Sequence, residues 1–116
     1  MRNFKKYKVW ELGHQLTLDM YKSTRKFPKE EIYGLTSQIR RSSYSIPANI
    51  AEGCGRESEP EFKRFLTISQ GSASELEYFN ILARDLEIID HIEFEKFDKQ
   101  INLVKRSLHS LIKKLK

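Results

Sequence analysis

From residue 94 onward, apolar side chains return every three or four positions: Phe94, Phe97, Ile101, Val104, Leu108, Leu111 and Leu115, with Ile112 widening the stripe. A strand cannot present that pattern to one side, because its side chains alternate with a period of two. A seam of this length needs partner helices lying at shallow angles to it, and the rest of the chain supplies three. Over 9–26 the stripe is Trp10, Gly13, Thr17, Met20 and Thr24, flanked by Val9, Leu12 and Leu16. Phe27-Pro28 closes it, since the residue before proline is pushed out of the helical region. A second segment is expected to start near Lys29 or Glu30. It carries Leu35, Ile39, Ser42, Ile46 and Ile50, and it stops at Gly53 and Gly55.

The third segment opens with Ser58-Glu-Pro-Glu61, a capping box in which the serine accepts from the Glu61 amide and the Glu61 carboxylate reaches back. Pro60 falls in the first turn, where its missing N–H is harmless. The stripe behind it is Phe62, Phe65, Leu66, Ser69, Ser72, Leu76, Phe79, Leu82, Ala83 and Leu86. A turn over 87–92, whose Ile88, Ile89 and Ile92 are expected to seal the bundle end, leads to a fourth helix from about Glu93. Phe4 and Tyr7 are expected to pack on the opposite end. Four helices joined by short turns predict one all-α domain over 1–116, an antiparallel up-down-up-down four-helix bundle.

Pro47 breaks the local rule. Inside a helix it removes one backbone hydrogen bond and presses on the Ser43 carbonyl, at a cost of about 3 kcal/mol. Two outcomes are open: a kink in one continuous helix, or a break with Ser45 capping a new piece at Ile46-Pro47. The small run Gly71, Ser72, Ala73 and Ser74 on the third helix offers room for a bent neighbour, so the two features are expected to pair. Asn49 and Glu52 follow the proline. They either satisfy backbone groups that it frees or pair with Arg40, Arg41 or Arg56, or else they form a polar site at the kink or a subunit contact. Pro47, Asn49, Glu52 and Gly53 are therefore the candidates for shaping the bundle and any oligomer.

Composition narrows the function classes. An apolar fraction of 39% with 32% charged residues excludes low-complexity disorder. No apolar run approaches the ~20 residues of a membrane span, and the basic start lacks the apolar core of a secretory signal. A lone cysteine, Cys54, cannot close an intramolecular disulfide, which fits a reducing cytoplasm.

Catalytic chemistry has little support. His14, His91 and His109 fall on three separate segments without carboxylate or cysteine at ligand spacing, and the Glu-x-x-His pair of di-iron bundles does not occur. Cys54 has no histidine near it in sequence, and its flanking glycines lack the phosphate-cradling pattern. Ser42, Ser43, Ser45, Ser69, Ser72 and Ser74 read as small helix-contact positions whose hydroxyls bond back to the preceding turn. No enzyme activity, cofactor or metal is expected.

Charge is the remaining opening. The net charge is +5, and it is uneven: residues 1–8 and 99–116 are basic and free of acid, while 75–98 carries eight acids against Arg84 and Lys96. In an up-down bundle the start of the first helix and the end of the fourth share one end, so Lys5, Lys6 and Lys8 should merge with Lys113, Lys114 and Lys116. Arg40, Arg41, Arg56, Lys63 and Arg64 are expected to share one end as well. Such patches could bind phosphates in a salt-dependent, sequence-independent manner, or simply be a solvated surface.

Two strings carry a family resemblance: Gln38-Ile-Arg-Arg-Ser-Ser-Tyr-Ser-Ile-Pro-Ala-Asn-Ile-Ala-Glu-Gly-Cys-Gly-Arg56, and Glu61-Phe-Lys-Arg-Phe-Leu-Thr-Ile-Ser-Gln-Gly-Ser-Ala-Ser-Glu-Leu-Glu77. With Phe27-Pro-Lys-Glu-Glu-Ile-Tyr-Gly-Leu35 and the stretch 7–12, they resemble the four-helix-bundle proteins encoded in intervening sequences of bacterial 23S rRNA genes. The chain is also similar to the accessory variability protein of diversity-generating retroelements. The resemblance implies a homopentamer with a central channel and a basic surface, partners among rRNA or other nucleic acid and a partner protein such as a reverse transcriptase, and no catalytic residues. Tyr44 and Cys54 stand where the family varies.

Overall fold

The computed structural model describes residues 2–115 and folds them into four helices: α1 Lys8–Thr24, α2 Leu35–Cys54, α3 Glu59–Asp85 and α4 His91–Lys114. Short 3-10 turns at Phe4–Lys6 and Lys29–Glu31 precede α1 and α2, and there is no strand among the described residues. Each helix packs on its neighbour in sequence, and α1 meets α4 to close the bundle. That is the antiparallel up-down-up-down arrangement, 43 Å along its axis.

The helix starts follow capping chemistry. Ser58 Oγ accepts the Glu61 N–H at 3.2 Å, and Asp90 Oδ1 accepts the Glu93 N–H at 2.8 Å. Only half of the predicted capping box forms, because the Glu61 carboxylate turns to Arg64 at 3.0 Å. The α2 start at Lys29 or Glu30 is corrected to Leu35. Gly34 stands outside helical geometry (φ −115°, ψ −112°), and Glu31 Oε1 caps the Leu35 N–H at 3.0 Å.

The core follows the stripes read from the sequence, except that Leu86 at the end of the third is 54% exposed. Leu16, Ile39, Ile46, Ile50, Phe62, Leu66, Leu76, Ile101, Val104 and Leu108 are essentially free of solvent. Tyr7 packs against Phe62, with ring centroids 5.9 Å apart, and Ile89 closes the far end. Ile92 does not help to seal it: the side chain is 81% exposed.

Helix α2 runs unbroken through Pro47, so the reading of a break at Ser45 is overturned. The carbonyl that Pro47 orphans, Ser43 O, accepts the Thr17 hydroxyl of α1 at 2.9 Å. Gly13 O also lies 2.9 Å from this hydroxyl, so the single Thr17 proton is shared between the two carbonyls. Gly13 is what lets α1 come this close, since a Cβ there would lie 3.0 Å from Ile46 Cγ2 and 3.6 Å from Pro47 Cδ. The expected pairing of Pro47 with the run 71–74 is therefore corrected to Gly13 and Thr17. Gly71 and Ser74 are exposed, and a Cβ on Gly71 would meet open space. From α3, Ser69 reaches across to Ile46 O at 2.9 Å, while Ser42 and Ser43 bond back within α2.

Candidate nucleic-acid interface

The up-down topology brings the chain start, the α2–α3 turn and the α4 terminus to one end. Gly53 sets the approach of α3 to α2 there, because a Cβ on it would fall 2.9 Å from Phe65 Cβ and 3.2 Å from Phe62 O. Three arginines cover the two phenyl rings. Arg2 lies over Phe62 at 4.2 Å, while Arg56 and Arg64 lie over Phe65 at 4.8 and 4.6 Å. Each also meets a carboxylate: Arg2 with Glu59 at 3.7 Å, Arg56 with Glu52 at 2.9 Å, and Arg64 with Glu61. The hydrogen bond from Arg64 holds the Glu61 carboxyl below its ordinary range, and the same bond raises the guanidinium.

The lysines differ from these arginines. Lys8 pairs loosely with Glu11 at 3.6 Å, and Lys5 sits 5.9 Å from the centre of the Phe4 ring. Lys6, Lys63, Lys113 and Lys114 make no ion pair among the described residues. Lys113 and Lys114 occupy the last turn of α4, where cations complement the helix dipole. Lys8 and Lys114 line one shallow groove of about 220 Å³ with Tyr7 and Leu111, so these two lysines from opposite ends of the sequence are neighbours. Lys116 lies outside the described residues.

Arg40 and Arg41 are not at this end, and that expectation is corrected. They sit near the start of α2, roughly 24 Å from Arg56 at ~1.5 Å per helical residue. Arg40 Nε donates to Thr24 Oγ1 at 2.8 Å with its guanidinium over Tyr21, and Arg41 pairs with Glu75 of α3 at 2.8 Å. Both tie helices together. Of the other candidates, Pro47 and Gly53 are helix-contact residues. Glu52 holds Arg56, and Asn49 Nδ2 donates to Ser45 O at 2.8 Å, not to the carbonyl that Pro47 frees.

Sequence reasoning missed three contributors. Thr17 and Gly13 were visible only as members of a stripe. Asn80 is 3% exposed and donates to Phe94 O at 3.1 Å, binding α3 to the first turn of α4. The third is an aromatic column at the basic end. Trp10 stacks on His14 (5.0 Å, 9° between planes), and Phe4 meets Trp10 edge-on at 5.1 Å.

Elsewhere, Cys54 is 1% exposed, and burial raises its thiol pKa against a smaller opposing effect of Arg2. His14 is exposed on α1, while His91 and His109 are exposed near opposite ends of α4, so the expectation of three separate segments is corrected to two. Among the described residues no three His, Cys, Asp or Glu side chains group as a metal would need, and no helix is long and apolar enough to cross a membrane.

The fold and its charged end define a small all-α bundle with basic and mixed-charge poles. The model of the 23S rRNA-intervening sequence protein family matches residues 5–110, and the chain belongs to that family. Among solved structures it is similar to a protein of unknown function from the S23 ribosomal protein family of Bacteroides thetaiotaomicron. The TM-score is 0.85 at 26% identity, over 90% of this chain and 95% of that one. No curated protein matches it.

Proposed function

We propose that this chain is a non-enzymatic, homo-oligomeric bundle that binds structured RNA or DNA through phosphate contacts at its basic end, in the cytoplasm. The observation that carries this reading is the convergence of Lys5, Lys6, Lys8, Arg56, Lys63, Arg64, Lys113 and Lys114 on one end of the bundle. The unpaired lysines matter most. A lysine without a carboxylate partner gives up little when it meets a phosphate, and each contact releases condensed counterions. The arginines held by Glu52, Glu59 and Glu61 are pre-positioned but partly neutralised. Assembly as a homopentamer, which the family resemblance implies, would repeat the patch around a ring and strengthen it.

Anisotropy of a labelled stem-loop RNA, at roughly 50 and 200 mM salt, tests the reading. Binding that falls linearly in log affinity with log salt is expected, and an absence of binding at low salt overturns it. Light scattering is expected to give an oligomer, and a monomer would count against the assembly.

A second reading, an oligomeric scaffold that docks a partner enzyme without touching nucleic acid, is favoured by one observation. Ile68, Tyr78 and Ile81 lie exposed on α3, at 40%, 56% and 36%. Nuclease-insensitive capture of a partner, with no RNA binding, would select it.

A further inference from the structure

We infer that the Phe4–Trp10–His14 column is a stacking platform for an unpaired nucleobase, an inference that rests on the nucleic-acid reading and names the part of the ligand that phosphate contacts leave undescribed. His14 is exposed and lies parallel to the half-buried indole of Trp10, so one imidazole face is covered and the other is open to water. Its ring makes no hydrogen bond or ion pair to the protein among the described residues, which leaves both nitrogens available to a ligand. Phe4 meets the indole edge-on at 5.1 Å, and Lys5 Nζ lies 5.9 Å from the centre of the Phe4 ring. A rigid aromatic stack beside an unpaired cation is the combination that single-stranded segments use: the ring takes the base and the lysine takes the backbone. One helical turn beyond His14, Leu18 is 47% exposed, and a purine lying on the imidazole would cover it as well.

The full chain is titrated with short single-stranded oligoadenylate and with an abasic strand of equal length, and the emission of its single tryptophan is read. Oligoadenylate is expected to change Trp10 emission and to bind about tenfold tighter than the abasic strand. His14→Ala is expected to remove that tenfold advantage and leave the salt slope unchanged. Lys5→Ala should instead flatten the slope by about 0.7 for both strands. Trp10→Phe and Trp10→Leu lack the reporter and are read by anisotropy of labelled strands: the first keeps a ring and is expected to keep the affinity, whereas the second loses it. His14 is exposed, so its variant should melt with the parent; matched melting curves check this.

Equal binding of the two strands without a change in emission overturns the platform and leaves phosphate binding standing. Stem-loop binding without oligoadenylate binding does the same. Failure of every nucleic acid overturns both. An oligomer that His14→Ala dissolves assigns the column to a subunit contact, and that too overturns the stacking role.

Discussion

Pro47 deprives the Ser43 carbonyl of its helical donor, and the Thr17 hydroxyl of α1 takes the vacant place at 2.9 Å. A buried carbonyl left without a partner costs about 1–3 kcal/mol. Thr17→Val, which keeps the shape and loses the hydroxyl, should therefore lower stability by about that much in urea unfolding. In a Pro47→Ala background the restored N–H serves Ser43, and the same substitution should cost below about 1 kcal/mol. Equal costs in both backgrounds would mean that the Thr17 bond does not answer the proline. Cys54 gives a second test at this scale. Burial raises its pKa in the folded state, so the folded thiol holds its proton where the unfolded one, with a pKa of ~8.5, has begun to lose it. Its contribution is fully present below about pH 8.5 and lost as pH rises through the folded value. Unfolding free energies at pH ~8 and ~9.5 should fall more steeply in the parent than in Cys54→Ala.

Helix packing explains why two glycines in helices predict opposite signs. Gly53 admits α3 so closely that a methyl group would press on Phe65 Cβ and the Phe62 carbonyl, neither of which can move without shifting the helix. Gly53→Ala should cost about 1–3 kcal/mol. Gly71 faces open space inside α3, so Gly71→Ala should stabilise by about 0.5–1 kcal/mol through helix propensity alone. Thermal melts of both variants check the pair. At the end of α3, Glu87 takes the left-handed conformation (φ 61°) that glycine adopts freely, and Glu87→Gly should gain up to about 1 kcal/mol. Much of this level was legible in sequence, because the three-four spacing of Phe94, Phe97, Ile101, Val104 and Leu108 fixes which face of α4 is buried. Periodicity does not say which neighbour a buried face meets. The run 71–74 therefore looked like the partner of Pro47, when Gly13 and Thr17 on another helix hold that role. Local geometry was equally hidden. The start of α2 moved to Leu35 because Gly34 leaves helical geometry, which no apolar pattern records.

Across the whole molecule, topology sorts charge along the 43 Å axis. Lysines that sequence places a hundred residues apart become neighbours, as Lys8 and Lys114 do. That part of the candidate site was legible, because an up-down bundle with four helices must return its C-terminus to the end where it began. That Arg40 and Arg41 lie away from Arg56 follows from the length of helix between them at ~1.5 Å per residue; their partners Thr24 and Glu75, which come from separate helices, were not legible. At the other pole, Lys22, Arg25, Lys26 and Lys29 are interleaved with Glu30, Glu31, Asp85, Glu87, Asp90 and Glu93. The two poles thus make an internally controlled comparison. Lys113→Glu with Lys114→Glu, and Lys26→Glu with Lys29→Glu, change net charge equally and touch exposed residues. The most direct measurement is stem-loop RNA affinity of the parent and both double variants across salt. The basic-pole pair should lose about tenfold or more at low salt and flatten the salt slope by about 1.8, with the opposite pair close to the parent. Equal losses from the two pairs, or none from the first, would contradict binding at the basic end.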